Sequence, residues 1–366
     1  MKVKCIGCGA IIQSNDPNKQ GYVDKNIAER KEDYYCKRCF NLKHYNLNLY
    51  YRIEEEDYWK NIDEIKANPG LICNIVDIFN LEETIVPNIN SLFNTFNILL
   101  VVNKIDLYAK SININKIKNY LENYFKTINI KIKELMVISS FNKRDIGLLV
   151  EKINAMKNNK NVYFVGRTNV GKSTIINKII NYYTNDKDII TVSNTANTTL
   201  GNIYIPFQDG TYLVDTPGII NKKALNHFIS KSTLEAITPT RLIRPKTFQL
   251  NPLQTLFIAG FGRLDFLEGK KTTFVTNFSN DLVIHRTKLE NADPFYQKHY
   301  LDILKYPRDE ERSKLGKIIN KKINLSKTRK MDIVFNGLGY ITVQGEGVVN
   351  ISTFEKVNII IRKAII

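Results

Sequence analysis

The chain has 366 residues, 53 Lys and Arg against 36 Asp and Glu, a formal net charge of +17, and a hydrophobic share of 43%. That share supports packed cores and excludes wholesale disorder, and the length implies two or three domains. No apolar run approaches the roughly 18–20 residues that cross a bilayer, the amino terminus has no secretory apolar region, and five cysteines do not make a disulfide scaffold. The expectation is a non-secreted protein of a reducing compartment with no membrane partner.

Residues 1–49 are poor in aliphatic periodicity and hold two pairs, Cys5-x-x-Cys8 and Cys36-x-x-Cys39, with 27 residues between them. Four thiolates in two knuckles suit tetrahedral Zn²⁺, which would supply what a small core cannot. The long spacer costs little, because loop-closure entropy grows only logarithmically. A redox role for the pairs is the competing reading. Cys73 lies in an apolar strand and reads as a core residue, and the four scattered histidines are assigned no metal.

From about residue 50 short apolar runs alternate with longer helical stretches. LICNIVDI (71–78), NILLVVNKID (97–106), ELMVISS (134–140), NVYFVG (161–166) and TYLVDTPG (211–218) read as buried parallel strands, with helices over 113–126 and 173–183. The fold class is α/β over 50–230, a P-loop GTPase domain by its motifs. Asn103-Lys104-Ile105-Asp106 follows its strand as the guanine-reading NKxD does. Asp106 can accept from both N1–H and the exocyclic amine of guanine, Asn103 can bond the purine edge, and the Lys104 stem packs over the ring. Ser139-Ser140 resembles the loop whose backbone N–H meets the guanine carbonyl.

Gly166-Arg-Thr-Asn169-Val170-Gly171-Lys172-Ser173 fits GxxxxGKS between a strand and a helix, with Thr174 next. Its glycines let successive N–H groups and the helix terminus face phosphates, Lys172 reaches the β/γ-phosphates, and Ser173 ligates Mg²⁺. Thr198-Thr199 offers the hydroxyl that closes over Mg²⁺. Asp215-Thr-Pro-Gly218 places a carboxylate for Mg²⁺ and a glycine N–H for the γ-phosphate. GTP or GDP with Mg²⁺ is thus the expected ligand. The base-reading motifs precede the phosphate loop, so the domain is circularly permuted, its old termini joined by a link at about 146–160. The order leads the DTPG switch directly into the third domain, and switch state is expected to move residues beyond 230.

Residues 231–366 form that third domain, α+β or mainly β, with strand-like stretches at 254–267 and 331–344. The charge is unevenly placed. Residues 1–50 carry 9 basic and 5 acidic side chains, 51–230 carry 21 and 18, and 231–366 carry 23 and 13. A polyanionic partner is expected. Arg312, Lys314, Lys317, Lys321, Lys322, Lys327, Arg329 and Lys330 stand without an acid among them, as phosphate contacts or as a solvated helix.

Together the motifs resemble the YqeH-type circularly permuted GTPases, bacterial and organellar proteins associated with small-subunit ribosome assembly. The resemblance is carried by CIGCGAIIQSNDPNKQGY (5–22), CKRCFNLKHYN (36–46), VDIFN (76–80), VGRTNVGKST (165–174), YLVDTPGII (212–220), VFNGLGYITV (334–343) and VNIIIRKAII (357–366). It implies GTP hydrolysis, a zinc finger, a carboxyl-terminal regulatory or RNA-contacting domain, and the 30S subunit or its precursor, with 16S rRNA, as partner of a monomer. Asn169 takes the position that helps hold K⁺ in related potassium-activated enzymes, and Ile219 stands where Ras-like enzymes carry a catalytic Gln. Lys172, Thr199 and Asn169 are then the catalytic candidates, with slow turnover that is faster in K⁺ than in Na⁺. Where the family usually has Pro-Gly before the switch-I threonines, this chain has Ala196-Asn197. Cys5 lies four residues from Met1, which leaves no transit peptide ahead of it and favours the bacterial cytoplasm. The alternative function is a GTP-sensing regulator that acts through a protein partner with little hydrolysis.

Overall fold

The computed structural model describes residues 5, 11–16, 21–24, 36, 63–86, 89, 96–110, 112–185, 198–199, 202–219 and 221–365. Most of the expected finger, including Cys8 and Cys39, lies outside the described residues, as do Ala196 and Asn197. Two compact units divide the chain: residues 1–78, 84–105 and 121–220 form one, and residues 79–83, 106–120 and 221–366 the other. The second unit resumes at residue 221. The second unit also takes two short excursions that follow strands of the first.

The first unit is built on a seven-stranded sheet of β1 (Leu71–Asp77), β2 (Asn97–Asn103), β3 (Glu134–Val137), β4 (Val162–Gly166), β5 (Thr198–Thr199), β6 (Asn202–Pro206) and β7 (Tyr212–Asp215), in the order β3-β2-β1-β4-β7-β6-β5. The first five in that order are parallel, and β6 and β5 extend the edge antiparallel. All seven residues of β1 are buried, as befits a strand covered on both faces. Leu71, Cys73, Ile75, Leu99, Val101, Phe164 and Leu213 share one apolar core with residues of two helices. Cys73 is wholly buried there, and burial pushes its thiol well above the usual range.

Helices α2 (Lys143–Met156) and α3 (Lys172–Asn185) accompany this sheet, while α1 (Ile114–Thr127) begins among residues of the second unit and ends among those of the first. The link expected at 146–160 is mostly α2. The Asn142 side chain caps it by accepting from the Arg144 N–H, and Ile146, Leu149, Val150, Ile153 and Met156 recur at helical spacing on its buried face. Only residues 157–161 connect it to β4.

The second unit is mainly β. One sheet joins β12 (Ile284–Lys288), β9 (Gln254–Ile258), β10 (Gly262–Gly269), β16 (Gly347–Phe354) and β13 (Ile318–Leu325) in that order; the other joins β17 (Ile359–Lys363), β14 (Met331–Phe335), β15 (Gly339–Val343), β11 (Thr272–Phe278) and β8 (Lys246–Leu250). Each stretch expected at 254–267 and 331–344 is an antiparallel hairpin. Alternate residues of both sheets, among them Leu256, Phe266, Val349 and Ile351 from one and Phe274, Phe335, Ile341 and Val343 from the other, enter a shared core. Short helices α4 (Lys231–Ile237), α5 (Ala292–His299) and α6 (Asp309–Arg312) complete it. No described helix is long and apolar enough to cross a membrane.

Candidate functional site

The parallel strands of the first unit end at one edge of its sheet. Asp77 closes β1, Asn103 closes β2, Ser139-Ser140 follows β3, Gly166 closes β4 and Asp215 closes β7. Ligands of open α/β sheets bind outside such carboxyl ends.

The loop after β4 is shaped by close approaches. A Cβ on Gly166 would meet the Ile75 carbonyl oxygen at 2.7 Å, and one on Gly171 would meet Asn103 Nδ2 at 2.4 Å. Gly171 also has φ +90°, a left-handed conformation that favours glycine. Exposed Asn169 adopts φ 66°, which a short amide side chain tolerates. Val170 is buried in the core, while Ser173 and Thr174 stand half-buried in the first turn of α3, where helix N–H groups have no intrahelical partner.

Asn103 is fully buried. Its Nδ2 donates to the Val170 carbonyl at 2.9 Å, and its Oδ1 accepts from the Ser140 N–H at 3.1 Å. Its amide fastens the loop after β3 to the phosphate loop. The N–H groups of that loop are engaged within the fold. Ser139 N–H donates to Asp145 Oδ2 at 2.8 Å, Ser140 N–H to Asn103, and Phe141 N–H to Ser139 Oγ at 3.1 Å.

Lys104 has φ 71°, and its ammonium donates to Asp77 Oδ2 at 2.6 Å. Asp77 is buried, and its own N–H donates to Thr84 Oγ1 at 3.0 Å. Asp106 is exposed in the 3₁₀ turn Ile105–Leu107. Asp77 and Phe141 escaped the sequence reading. A lone carboxylate at the end of an apolar strand was a usable sign of the first, and an aromatic residue directly after Ser140, 73% exposed, was one for the second.

Lys172 and Asp215 meet directly. The buried Lys172 ammonium donates to Asp215 Oδ1 and to the Thr216 carbonyl. Thr216 Oγ1 donates to the Phe164 carbonyl at 2.7 Å, and the Ile219 N–H to the Gly166 carbonyl at 3.0 Å. Segment 215–219 thus runs beside β4 and the start of its loop, with Gly218 against Thr168. Thr199 pairs through its backbone with Asn202.

Cys5 and Cys36 are both buried, and the Cys36 N–H donates to Cys5 Sγ at 3.1 Å. Among the described residues no group of three or more His, Cys, Asp or Glu could hold a metal. The basic segment is not one helix. Arg312 ends α6 half-buried, its guanidinium 4.8 Å from the Tyr300 ring and 5.2 Å from that of Tyr296. It packs against rings within the fold. Lys314, Lys317, Lys327, Arg329 and Lys330 are exposed on flanking loops, and Lys321 and Lys322 are exposed on β13, at the edge of its sheet. Lys321 also donates to the Ile359 carbonyl at 3.0 Å.

Two family models match the chain. One described as 50S ribosome-binding GTPase matches residues 161–247, and one described as YqeH-like, C-terminal matches residues 271–365. The YqeH protein of Bacillus subtilis is 38% identical over 342 residues, which cover 93% of each chain. NO-associated protein 1, chloroplastic/mitochondrial, of Arabidopsis thaliana is 24% identical over 93% of this chain and 69% of its own. GTPase Der of Karelsulcia muelleri is 33% identical over 42% of this chain and 34% of its own.

Proposed function

The chain belongs to the YqeH family and carries a P-loop GTPase domain, and on that premise we propose that it is a GTP-hydrolysing switch acting in assembly of the small ribosomal subunit. The observation that carries the switch reading is the contact of Lys172 with Asp215 and Thr216. For Lys172 to take a phosphate, it must give up a carboxylate and a carbonyl of the DTPG segment. With GTP bound, Asp215, Ser173 and Thr199 would be the residues to hold Mg²⁺, and the freed DTPG segment would reset the backbone that leads into residue 221. Mg²⁺ when bound supplies neutralisation of charge on the phosphates.

Ile219 offers no side chain to orient water, so basal turnover is slow, and Asn169 supports faster turnover in KCl than in NaCl. Equal rates in the two salts remove Asn169 from that role. The zinc reading is supported by the Cys36 N–H···Sγ bond to Cys5, the kind of backbone support a thiolate ligand receives in a knuckle. With Cys8 and Cys39 completing the set, one zinc per chain is expected by elemental analysis. Cys5→Ser is expected to lose it.

The ribosomal reading is supported by the excess of basic residues outside 51–230. A second reading has its own support: the model matching 161–247 is described as 50S ribosome-binding. Co-sedimentation with isolated 30S and 50S particles, with GDP or a non-hydrolysable GTP analogue, separates the two. Binding to 30S that depends on the nucleotide is expected. Binding indifferent to nucleotide overturns the switch, and preference for 50S overturns the small-subunit assignment.

A further inference from the structure

Residues 79–83 and 106–120 follow the ends of β1 and β2, yet they belong to the compact unit of the carboxyl-terminal sheets. A buried polar cluster holds them there. Arg362 on β17 donates through Nη1 to both carboxylate oxygens of Glu82, at 2.7 and 2.9 Å, and through Nε to Asp332 on β14 at 3.1 Å. The three side chains are 4%, 6% and 0% exposed. The guanidinium lies 5.0 Å from the centre of the Tyr340 ring on β15, and the Tyr340 hydroxyl donates to that of Tyr108 at 3.3 Å. The Ile243 N–H donates to the Leu107 carbonyl at 2.9 Å. Leu107 and Tyr108 are the two residues directly after Asp106.

Such a cluster is a costly way to gain stability, because removing three charges from water cancels much of their attraction. Its yield is geometric: a guanidinium fork shared by two carboxylates admits one arrangement. Here the arrangement fixes the chain on the far side of the 3₁₀ turn that carries Asp106. One partner, Glu82, stands five residues beyond Asp77, whose carboxylate takes Lys104 of the same motif.

We propose that Tyr340 and Arg362 are positioning residues for base recognition: through Tyr108 and Glu82 they hold the turn that presents Asp106, so that discrimination for guanine depends on the carboxyl-terminal sheets. The proposal rests on the reading of Asp106 as the guanine-specifying carboxylate. It assigns these sheets a role in nucleotide selection besides any contact with an outside partner.

The test compares affinity for GDP with affinity for inosine diphosphate, which lacks the exocyclic amine that Asp106 would accept from. In the full-length parent the ratio is expected to be on the order of tenfold or more in favour of GDP. Glu82→Gln and Tyr340→Phe are each expected to shrink that ratio roughly fivefold, chiefly by weakening GDP. A structural role alone lowers the melting temperature and leaves the ratio of the folded protein unchanged, which overturns the proposal. Tyr340→Phe removes one hydroxyl and keeps its ring, so it decides the matter if Glu82→Gln does not fold. A parent without preference for GDP overturns the reading of Asp106 and the proposal with it; a discriminating parent whose variants keep its ratio overturns the proposal alone.

Discussion

A buried amide that serves two loops makes the position of each depend on the other. Asn103→Ala leaves the Val170 carbonyl and the Ser140 N–H without their side-chain partner, at an expected cost of about 1–3 kcal/mol in unfolding free energy and a loss of GDP affinity. Asn103→Asp keeps the acceptor for Ser140 but loses the donor to Val170. It sets a buried carboxylate against the Val170 carbonyl, two acceptors with no proton between them, and is expected to be at least as destabilised as the alanine variant in urea denaturation and to lose GDP affinity; equal affinity in all three would rule out the bracing role. Lys157 and Asp209 permit a test by pH. Hydrogen bonds from the Lys157 ammonium and from Thr211 hold the Asp209 carboxyl down at about 2, against 3.8 for the free group. A carboxyl depressed in the folded state adds stability that is present above its unfolded pKa and lost as pH falls through the folded one. The side chain is 36% exposed, so screening limits the contribution to about 1 kcal/mol or less. Asp209→Asn is therefore expected to be less stable than the parent at pH 7, with the gap closing between about pH 4 and about pH 2. A gap that persists unchanged at pH 2 assigns the loss to packing.

Elements buried on both faces were legible, and those defined by distant pairing were not. The strands β1, β2, β4 and β7 declare themselves because a parallel strand between two layers is apolar throughout, and the motifs follow because chemistry sits where such strands end. The fold of α2 was masked by Gly147 and by reading 146–160 only as a link between the old termini, although the Asn142 cap and the spacing of its apolar residues were present in the sequence. The inward turn of the Ser139–Phe141 N–H groups could not be read, since it depends on Asp145 and Asn103 arriving from separate elements. The segment 312–330 shows the limit most plainly. Its charge pattern was visible, but the edge position of β13 depends on pairing with β16, whose register no local pattern announces. Exposed lysines on an edge strand and on the loops that flank it have two uses, contact with phosphates and prevention of edge-to-edge association. Replacing Lys314, Lys317, Lys322 and Lys327 by Gln separates them. If they contact phosphates, rRNA affinity falls and the slope of log affinity against log salt flattens by about 3. If they guard the edge, binding is unchanged and the variant associates at concentrations where the parent does not, as sedimentation would show. Arg312→Ala belongs to neither class, and its expected effect is a lower melting temperature through loss of packing on Tyr296 and Tyr300.

At the scale of the molecule the division of the chain has a consequence for what can fold. The motif order alone suggests that residues up to about 230 make a self-sufficient GTPase. Yet 79–83 and 106–120 are part of the unit that begins again at 221, where Glu82 meets Arg362 and Tyr108 meets Tyr340. Helix α4 is tied to that unit as well, because the buried Glu311 carboxylate accepts from the Ser230 N–H and from Thr233 Oγ1 at its start. Cutting the chain after residue 230 removes both partners of the excursions and, together with α4 itself, the Glu311 carboxylate that takes the Ser230 N–H. Loss of one partner from a buried ion pair commonly costs about 3–5 kcal/mol where the charge cannot reach water, and domains are stable by only about 5–15 kcal/mol in all. A chain ending at 230 is therefore expected to melt well below the full-length protein, or without a cooperative transition, as followed by circular dichroism. Because the phosphate loop and its core lie in the other unit, whatever remains folded is expected to lose preference for GDP over inosine diphosphate before it loses affinity for both. A truncated chain that keeps the parent's melting temperature and its preference would show that the carboxyl-terminal sheets merely receive these segments, and that the permuted GTPase fixes its own base-reading turn.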